Sequence, residues 1–310
     1  MFYKSHSVYP IRFFTFYENW AWLFAYSERK RFFMIKKIYK YLIFNTVCAF
    51  FISLWTEKLV IESQKDRLKE DVLTSALYRE QYVGEEMVSF LQKVSKPGKY
   101  VGLYLLESKY GYTKLQEALE EDNFHKLEKQ WNKEEYYNKY IKTTKAIWND
   151  VKYFPVPEFT ADKSMTVNYA NSWMSERTYG GERGHEGTDI MASKNERGLY
   201  PIISMTDGVV SKKGWLDKGG YRIGILAPSG AYFYYAHLES YANINVGDEV
   251  KAGDILGFMG DSGYGPEGTT GKFAVHLHLG IYIYPNEKEM SINPYWVLRY
   301  IENRKVKCYT

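Results

Sequence analysis

Ala274–Ile283 reads AVHLHLGIYI. An apolar run of this length, interrupted at alternate positions by His276 and His278, predicts a β-strand. Side chains alternate along a strand, so the two histidines share a face about 7 Å apart. Two imidazoles side by side repel if both are protonated. They are comfortable if one binds a metal and the other stays neutral beside it. The bland alternative is a pair of exposed or hydrogen-bonded strand histidines.

The sequence around this strand has the same texture. After Pro157 glycine becomes dense, and short apolar runs lie between turn signals. Strands are predicted at Tyr200–Met205, Gly208–Ser211, Tyr221–Leu226, Ala231–His237, Asp254–Met259 and Phe273–Tyr284, with turns at Pro228-Ser229-Gly230, Gly247-Asp248 and Gly260 to Gly271. That pattern predicts an all-β domain of antiparallel strands. Four of the six histidines fall within it: His185, His237, His276 and His278.

His185-Glu186-Gly187-Thr188-Asp189 looks superficially like the helical H-E-x-x-H zinc motif. Gly184 and Gly187 disfavour the helix that motif needs. A fully extended chain would separate His185 from Asp189 by about 13 Å. The chain is therefore expected to turn here, with Glu186 excluded as a general base. An ordinary turn cap is the alternative for Asp189.

Together these residues resemble the lysostaphin/LytM family of zinc metallopeptidases, whose signature is H-x-x-x-D followed after several strands by H-x-H. Here the pairs are His185/Asp189 and His276/His278. A further family histidine at a strand end corresponds to His237 in YYAHLES. The family's glycine-rich hairpin corresponds to Val246–Gly257, VGDEVKAGDILG, and its common ending to Ile292-Asn293-Pro294. The likeness covers roughly residues 165–298. One departure is that family members often carry Gly-Pro before H-x-H, where this chain has Ala274-Val275 after the long loop Asp261–Lys272.

The resemblance implies a lysostaphin-type peptidase fold. It also implies one Zn2+ per chain, held by His185, Asp189 and His278 with water in the fourth position. His237 and His276 would be the catalytic pair, one taking the water's proton and the other holding the oxyanion, with their assignment open. Tyr179, six residues before His185, is a further oxyanion candidate; its alternative is a packed surface tyrosine. The implied substrates are peptidoglycan peptides.

Upstream, Glu57–Phe154 mixes Lys and Glu with apolar residues at helical spacing, including Leu68, Val72, Leu73 and Leu77, then Met87, Phe90, Leu91 and Val94. Pro97-Gly98 is expected to break one helix, and a further helix is expected near Phe124–Val151. Glu107-Ser108 faintly resembles the catalytic pair of lytic transglycosylases, and Glu107 is read as a solvated helix residue. Pro155-Val156-Pro157 sets a boundary.

Residues 1–40 carry eight basic side chains against Glu18 and Glu28, an excess of +6 that more than accounts for the whole chain's net charge of +4. Directly after comes the uncharged run Tyr41–Thr56, which Ile38 and Tyr39 extend if Lys40 snorkels. A single-pass membrane anchor follows, with the N-terminus cytoplasmic and the remainder outside. The alternatives are a buried core helix and a cleaved signal peptide, the latter lacking a small-residue cut site. Met34 is an alternative start. The expected division is a cytoplasmic segment 1–37, an anchor 38–56, a helical extracellular domain or stalk 57–154, and a peptidase domain 155–310.

The composition removes other classes. At 45% hydrophobic and 25% charged, the 310-residue chain is neither disordered nor collagen-like. Two cysteines make no disulfide framework. No basic stripe spreads over the folded part, which argues against a nucleic-acid partner. Two rival functions fit these residues less well. A catalytically silent wall-binding scaffold would be expected to lack a ligand or a catalytic histidine. A biotinyl or lipoyl carrier would need a Met-Lys-Met hairpin tip. Neither feature fits. Which peptidoglycan bond is cut, and which wall or division proteins are bound, is not specified by these motifs.

Overall fold

The computed structural model describes residues 15–309, apart from 114, 116, 117, 179 and 180. Its packing divides the chain into residues 1–64 and 65–310.

In the first unit, α1 starts at Thr15 and continues to Arg67, a 53-residue helix about 80 Å long. No Gly or Pro occurs between those ends, so nothing breaks the helical ladder. Among the described residues it is the one helix long and apolar enough to cross a membrane. That stretch is Tyr26–Thr56, 31 residues with mean hydropathy 1.4 and none of its window buried. The helix is longer than the expected 38–56 at both ends, because charged residues such as Arg29, Lys30 and Lys58 are compatible with helix even where they are not with hydrocarbon.

The second unit begins with short helices: α2 Ala76–Glu80, α3 Gly84–Leu91, α4 Pro97–Glu107, α5 Glu121–Trp131 and α6 Tyr137–Trp148. Ser75 caps α2, its side chain accepting the Tyr78 N–H. Pro97 does not break a helix as expected. It opens α4, where its missing N–H costs nothing. Gly98 lets α4 cross α6 closely, since a Cβ there would stand 2.5 Å from Lys145 Cα. The helix expected over Phe124–Val151 is two helices with a turn between. Leu77 is exposed rather than part of the apolar face. Glu107 is half-buried rather than solvated: it accepts from Trp131 Nε1 at 3.2 Å and faces Arg67 at 3.9 Å.

Among the described residues fourteen strands follow: β1 Glu158–Phe159, β2 Val167–Tyr169, β3 Glu176–Arg177, β4 Arg183–Gly184, β5 Thr188–Ala192, β6 Pro201–Ile203 and β7 Gly208–Leu216. Then come β8 Gly220–Leu226, β9 Tyr232–Tyr241, β10 Glu249–Val250, β11 Ile255–Met259, β12 His276–Ile283, β13 Met290–Ile292 and β14 Lys307–Cys308, with α7 Tyr295–Ile301 before the last. Ten of the described strands make one antiparallel sheet, in the order β10-β7-β8-β9-β12-β5-β2, with β11 between β9 and β6 and with β13 beside β12. The expectation of an antiparallel sheet holds for these ten strands. The exception lies outside them, where β1 pairs parallel with β14. The glycine-rich stretch 246–257 is not a hairpin, since β10 pairs β7 while β11 pairs β6 and β9.

One face of the sheet is core: Ile190, Ile223, Phe233, Tyr235, Leu277, Leu279 and Ile281 are fully buried. The helices pack onto the same unit rather than standing apart. Trp148 meets Tyr300 and Tyr82 meets Trp296 of α7, at 6.0 and 5.2 Å between ring centroids. Asn293, fully buried, joins the two parts. Its N–H donates to the Arg79 carbonyl, its amide donates to Glu80 at 3.0 Å, and its Oδ1 accepts from Tyr295 N at the start of α7.

Candidate metal centre and cleft

The opposite face of the sheet carries the histidines. β5 and β12 pair antiparallel, with Asp189 directly opposite His278 and Met191 opposite His276. The expected turn is confined to residues 185–187, so His185 folds back while Asp189 lies on a strand, not in a turn cap. Gly187 makes this possible. A Cβ there would stand 2.5 Å from His278 Cε1 and 2.6 Å from both its Nε2 and the Leu279 carbonyl.

The result is a tight triangle of donor atoms. His185 Nε2 lies 3.0 Å from Asp189 Oδ1 and 3.0 Å from His278 Nδ1, and His278 Nδ1 is 2.9 Å from Asp189 Oδ1. His185, Asp189 and His278 are the described group whose ligand atoms converge as a metal site requires. The far nitrogen of His185 faces the Ser172 carbonyl at 3.1 Å and hydroxyl at 3.0 Å. An Nδ1–H donated to that carbonyl leaves Nε2 as the lone-pair atom. Burial pushes the Asp189 carboxyl up, but the facing rings of His185 and His278, which donate to it when protonated, more than reverse this and hold it well below the usual range. Its second oxygen accepts from Arg177 Nη2 at 2.5 Å, a partner that local sequence pattern does not reveal.

The other two histidines stand beside the triangle. His237 and His276 have ring centroids 4.8 Å apart, and His276 Nε2 lies 3.7 Å from Asp189 Oδ1. Each is oriented by a backbone carbonyl at 2.7 Å: Ser262 for His237 Nδ1 and Ala274 for His276 Nδ1. Both therefore present Nε2 to the cleft. Burial lowers both pKa values, that of His237 further because His276 and His278 stand near it. Strict alternation would turn His237 into the core with Tyr235. Instead Ala236 and His237 together oppose Arg222, a bulge in which His237 takes φ 60. A non-glycine residue held there marks a position that surrounding structure enforces.

The cleft over these residues has a volume of about 580 Å3. Tyrosines lying on glycines form its floor. A Cβ at Gly219 would stand 2.1 Å from the Tyr234 hydroxyl, and at Gly280 2.8 Å from the Tyr282 ring. The loop after β11 supplies a wall, with Phe273 against His237 at 4.6 Å and Tyr264 against Phe273 at 5.1 Å. Tyr179 lies outside the described residues. Glu186 lines the cleft and pairs with Arg79 at 3.0 Å. Of the remaining lining residues, Arg222 was also missed. The glycines inside strands at 224 and 280 were the available signal for close packing there.

Comparison with known proteins agrees with this geometry. Residues 183–294 match the description Peptidase family M23, and residues 63–150 match LytM, N-terminal domain. The L-Ala–D-Glu endopeptidase of Bacillus subtilis (strain 168) is 45% identical over 147 residues, 47% of this chain and 42% of that protein. The glycyl-glycine endopeptidase ALE-1 of Staphylococcus capitis is 32% identical over 123 residues, 36% of this chain and 31% of that protein. The matched regions thus span less than half of these curated relatives. A crystal structure described as a glycyl-glycine endopeptidase lytM from Ruminococcus gnavus is 53% identical, with TM-score 0.76, covering 80% of this chain and 98% of that one. With both domains matched and nearly the whole of that relative covered, the chain belongs to peptidase family M23.

Proposed function

We propose that the chain is a zinc endopeptidase hydrolysing peptide bonds in peptidoglycan, anchored in the membrane with residues 57–310 outside. One observation carries the catalytic reading: three converging ligand atoms with two further buried histidines presenting Nε2 to the same cleft. The donor set fits zinc. Two imidazoles and a carboxylate are its usual ligands, and separations of 2.9–3.0 Å approach the edge of a tetrahedron with bonds of about 2.0–2.1 Å, roughly 3.3 Å. Three lone-pair atoms this close favour a cation among them. Bound by His185 Nε2, Asp189 Oδ1 and His278 Nδ1, zinc supplies Lewis acidity for the carbonyl and for water activation.

The chain's own groups do the rest. His276 Nε2, 3.7 Å from Asp189, takes the proton of the attacking water and returns it to the leaving amine. His237 Nε2 faces the same cleft and is the alternative acceptor of that proton, which it would then donate to the oxyanion or the leaving amine. Tyr179 is a further oxyanion candidate. The tyrosine floor and the Phe273 wall hold the peptide and exclude water. The anchoring reading rests on the apolar stretch Tyr26–Thr56 and the +6 excess before residue 41.

The test is a pair of variants. His237→Ala and His276→Ala should retain zinc by elemental analysis and lose peptidoglycan-cleaving turnover by at least about a hundredfold. Wild-type turnover in both would refute the reading.

A further inference from the structure

We propose that Arg222 determines specificity by binding a carboxylate on the substrate residue next to the scissile bond, so that the cleft selects acidic peptides over glycine-only ones. The proposal rests on the peptidase reading and names its substrate class. Arg222 lies on β8, in the cleft lining, and Ile223 and Ile225 beside it face the core. Its Nη1 is buried with no hydrogen-bond partner among the described residues. Arg177 and Arg183 also have a buried Nε without an acceptor, but their guanidinium ends are held, Arg177 by Asp189 and Arg183 by the Tyr264 hydroxyl at 3.4 Å, and Lys212 faces Glu289 at 3.7 Å. A buried guanidinium nitrogen without an acceptor is costly, and its planar fork matches a carboxylate.

Position gives the register of the substrate. Arg222 stands opposite the Ala236–His237 bulge, and Ala236 stands opposite His278. The guanidinium-bearing strand is therefore two strand spacings from the metal ligand, about 10 Å. An arginine and an acidic side chain reaching toward each other close that gap when the acidic residue adjoins the reacting carbonyl. The lining as a whole carries five basic side chains against three acidic, and one of those three, Asp189, is committed to the metal centre. A Gly–Gly segment would leave Arg222 unpaired, and a site built around an ionic hydrogen bond rejects the analogue that lacks it.

The experiment uses the full chain in detergent, zinc-loaded, with two synthetic peptides identical except for a free carboxylate or a carboxamide beside the cleaved bond, and a third made of glycine. Wild type should favour the acid over the amide by about tenfold to a hundredfold in kcat/KM. Arg222→Gln should bring that ratio to about one by losing rate on the acid alone, and Arg222→Lys should fall between. An equal wild-type rate on acid and amide, a ratio unchanged in Arg222→Gln, or faster cutting of the glycine peptide overturns the proposal while leaving a peptidase. If no peptide is cut, calorimetric binding decides. At least tenfold tighter binding of the acid that vanishes in Arg222→Gln upholds the anion site without the enzyme, and equal binding overturns it.

Discussion

Arg79, in the helix α2, donates from Nη2 both to Glu186, the residue beside His185, at 3.0 Å and to the Ser291 hydroxyl at 2.6 Å, while its Nε holds the Ser291 carbonyl at 2.9 Å. Its guanidinium also lies 5.4 Å from the centre of the Trp173 ring. One side chain from the helical segment thus fixes both the loop bearing His185 and the strand β13. Arg79→Ala removes several charge-assisted bonds at a mostly buried site. It should lower stability by about 2–3 kcal/mol, a melting-temperature drop of roughly 5–10 °C. A thermal melt indistinguishable from wild type would show the contact to be ornamental.

Removing residues 1–154 should do more harm than the boundary at Pro155 suggests. Trp296, Val297, Leu298 and Ile301 of α7 are buried, and α7 is covered in part by Trp148 and Tyr82. A chain of residues 155–310 should bind hydrophobic dye and aggregate with rising concentration, whereas residues 65–310 should not. Light scattering of the two at equal concentration decides.

Gly187→Ala should sharply reduce zinc content although glycine is no ligand. The added methyl would overlap His278 at 2.5 Å, and backbone at Leu279 blocks the other direction. Overpacking of this kind costs about 1–3 kcal/mol, here directed at one imidazole. Gly247→Ala, where a Cβ meets nothing within 4 Å, is the control: strained by its φ of 96 but retaining full zinc.

Arg177→Met should weaken zinc affinity by about tenfold to a hundredfold, the usual effect of losing a partner behind a metal ligand. The guanidinium keeps Asp189 Oδ2 occupied and so aims Oδ1 at the two imidazoles. Competition with a chromogenic chelator measures the change. An unchanged affinity would mean that strand pairing alone orients Asp189.

Much of this was legible because the site is built from short-range periodicity. Alternation in AVHLHLGIYI placed His276 and His278 on one face, and glycine spacing marked the strands. Asp189 was harder, because Thr188–Ala192 is a five-residue strand with Thr and Asp where an apolar run would announce it. His237 faces the cleft only through a bulge, and a one-residue insertion in a ladder leaves no trace in hydrophobic pattern. The contacts of Arg79 and Arg177 span 107 and 12 residues and depend on docking, not on local propensity. Pro97 opens α4 against expectation because proline ends one helix and begins another with the same chemistry.

The pairing of β5 with β12 has a consequence for how the protein is made. His185 and Asp189 are 4 residues apart, but His278 follows 89 residues after Asp189. Until β12 emerges and docks, two ligands hang on an unpaired segment with little hold on a cation. Under the proposed topology the metal site would have to cross the bilayer before or after it is assembled. A chain exported before that docking would arrive empty and would draw its metal from the far side, so the proposed catalysis would need no dedicated inhibitor before export.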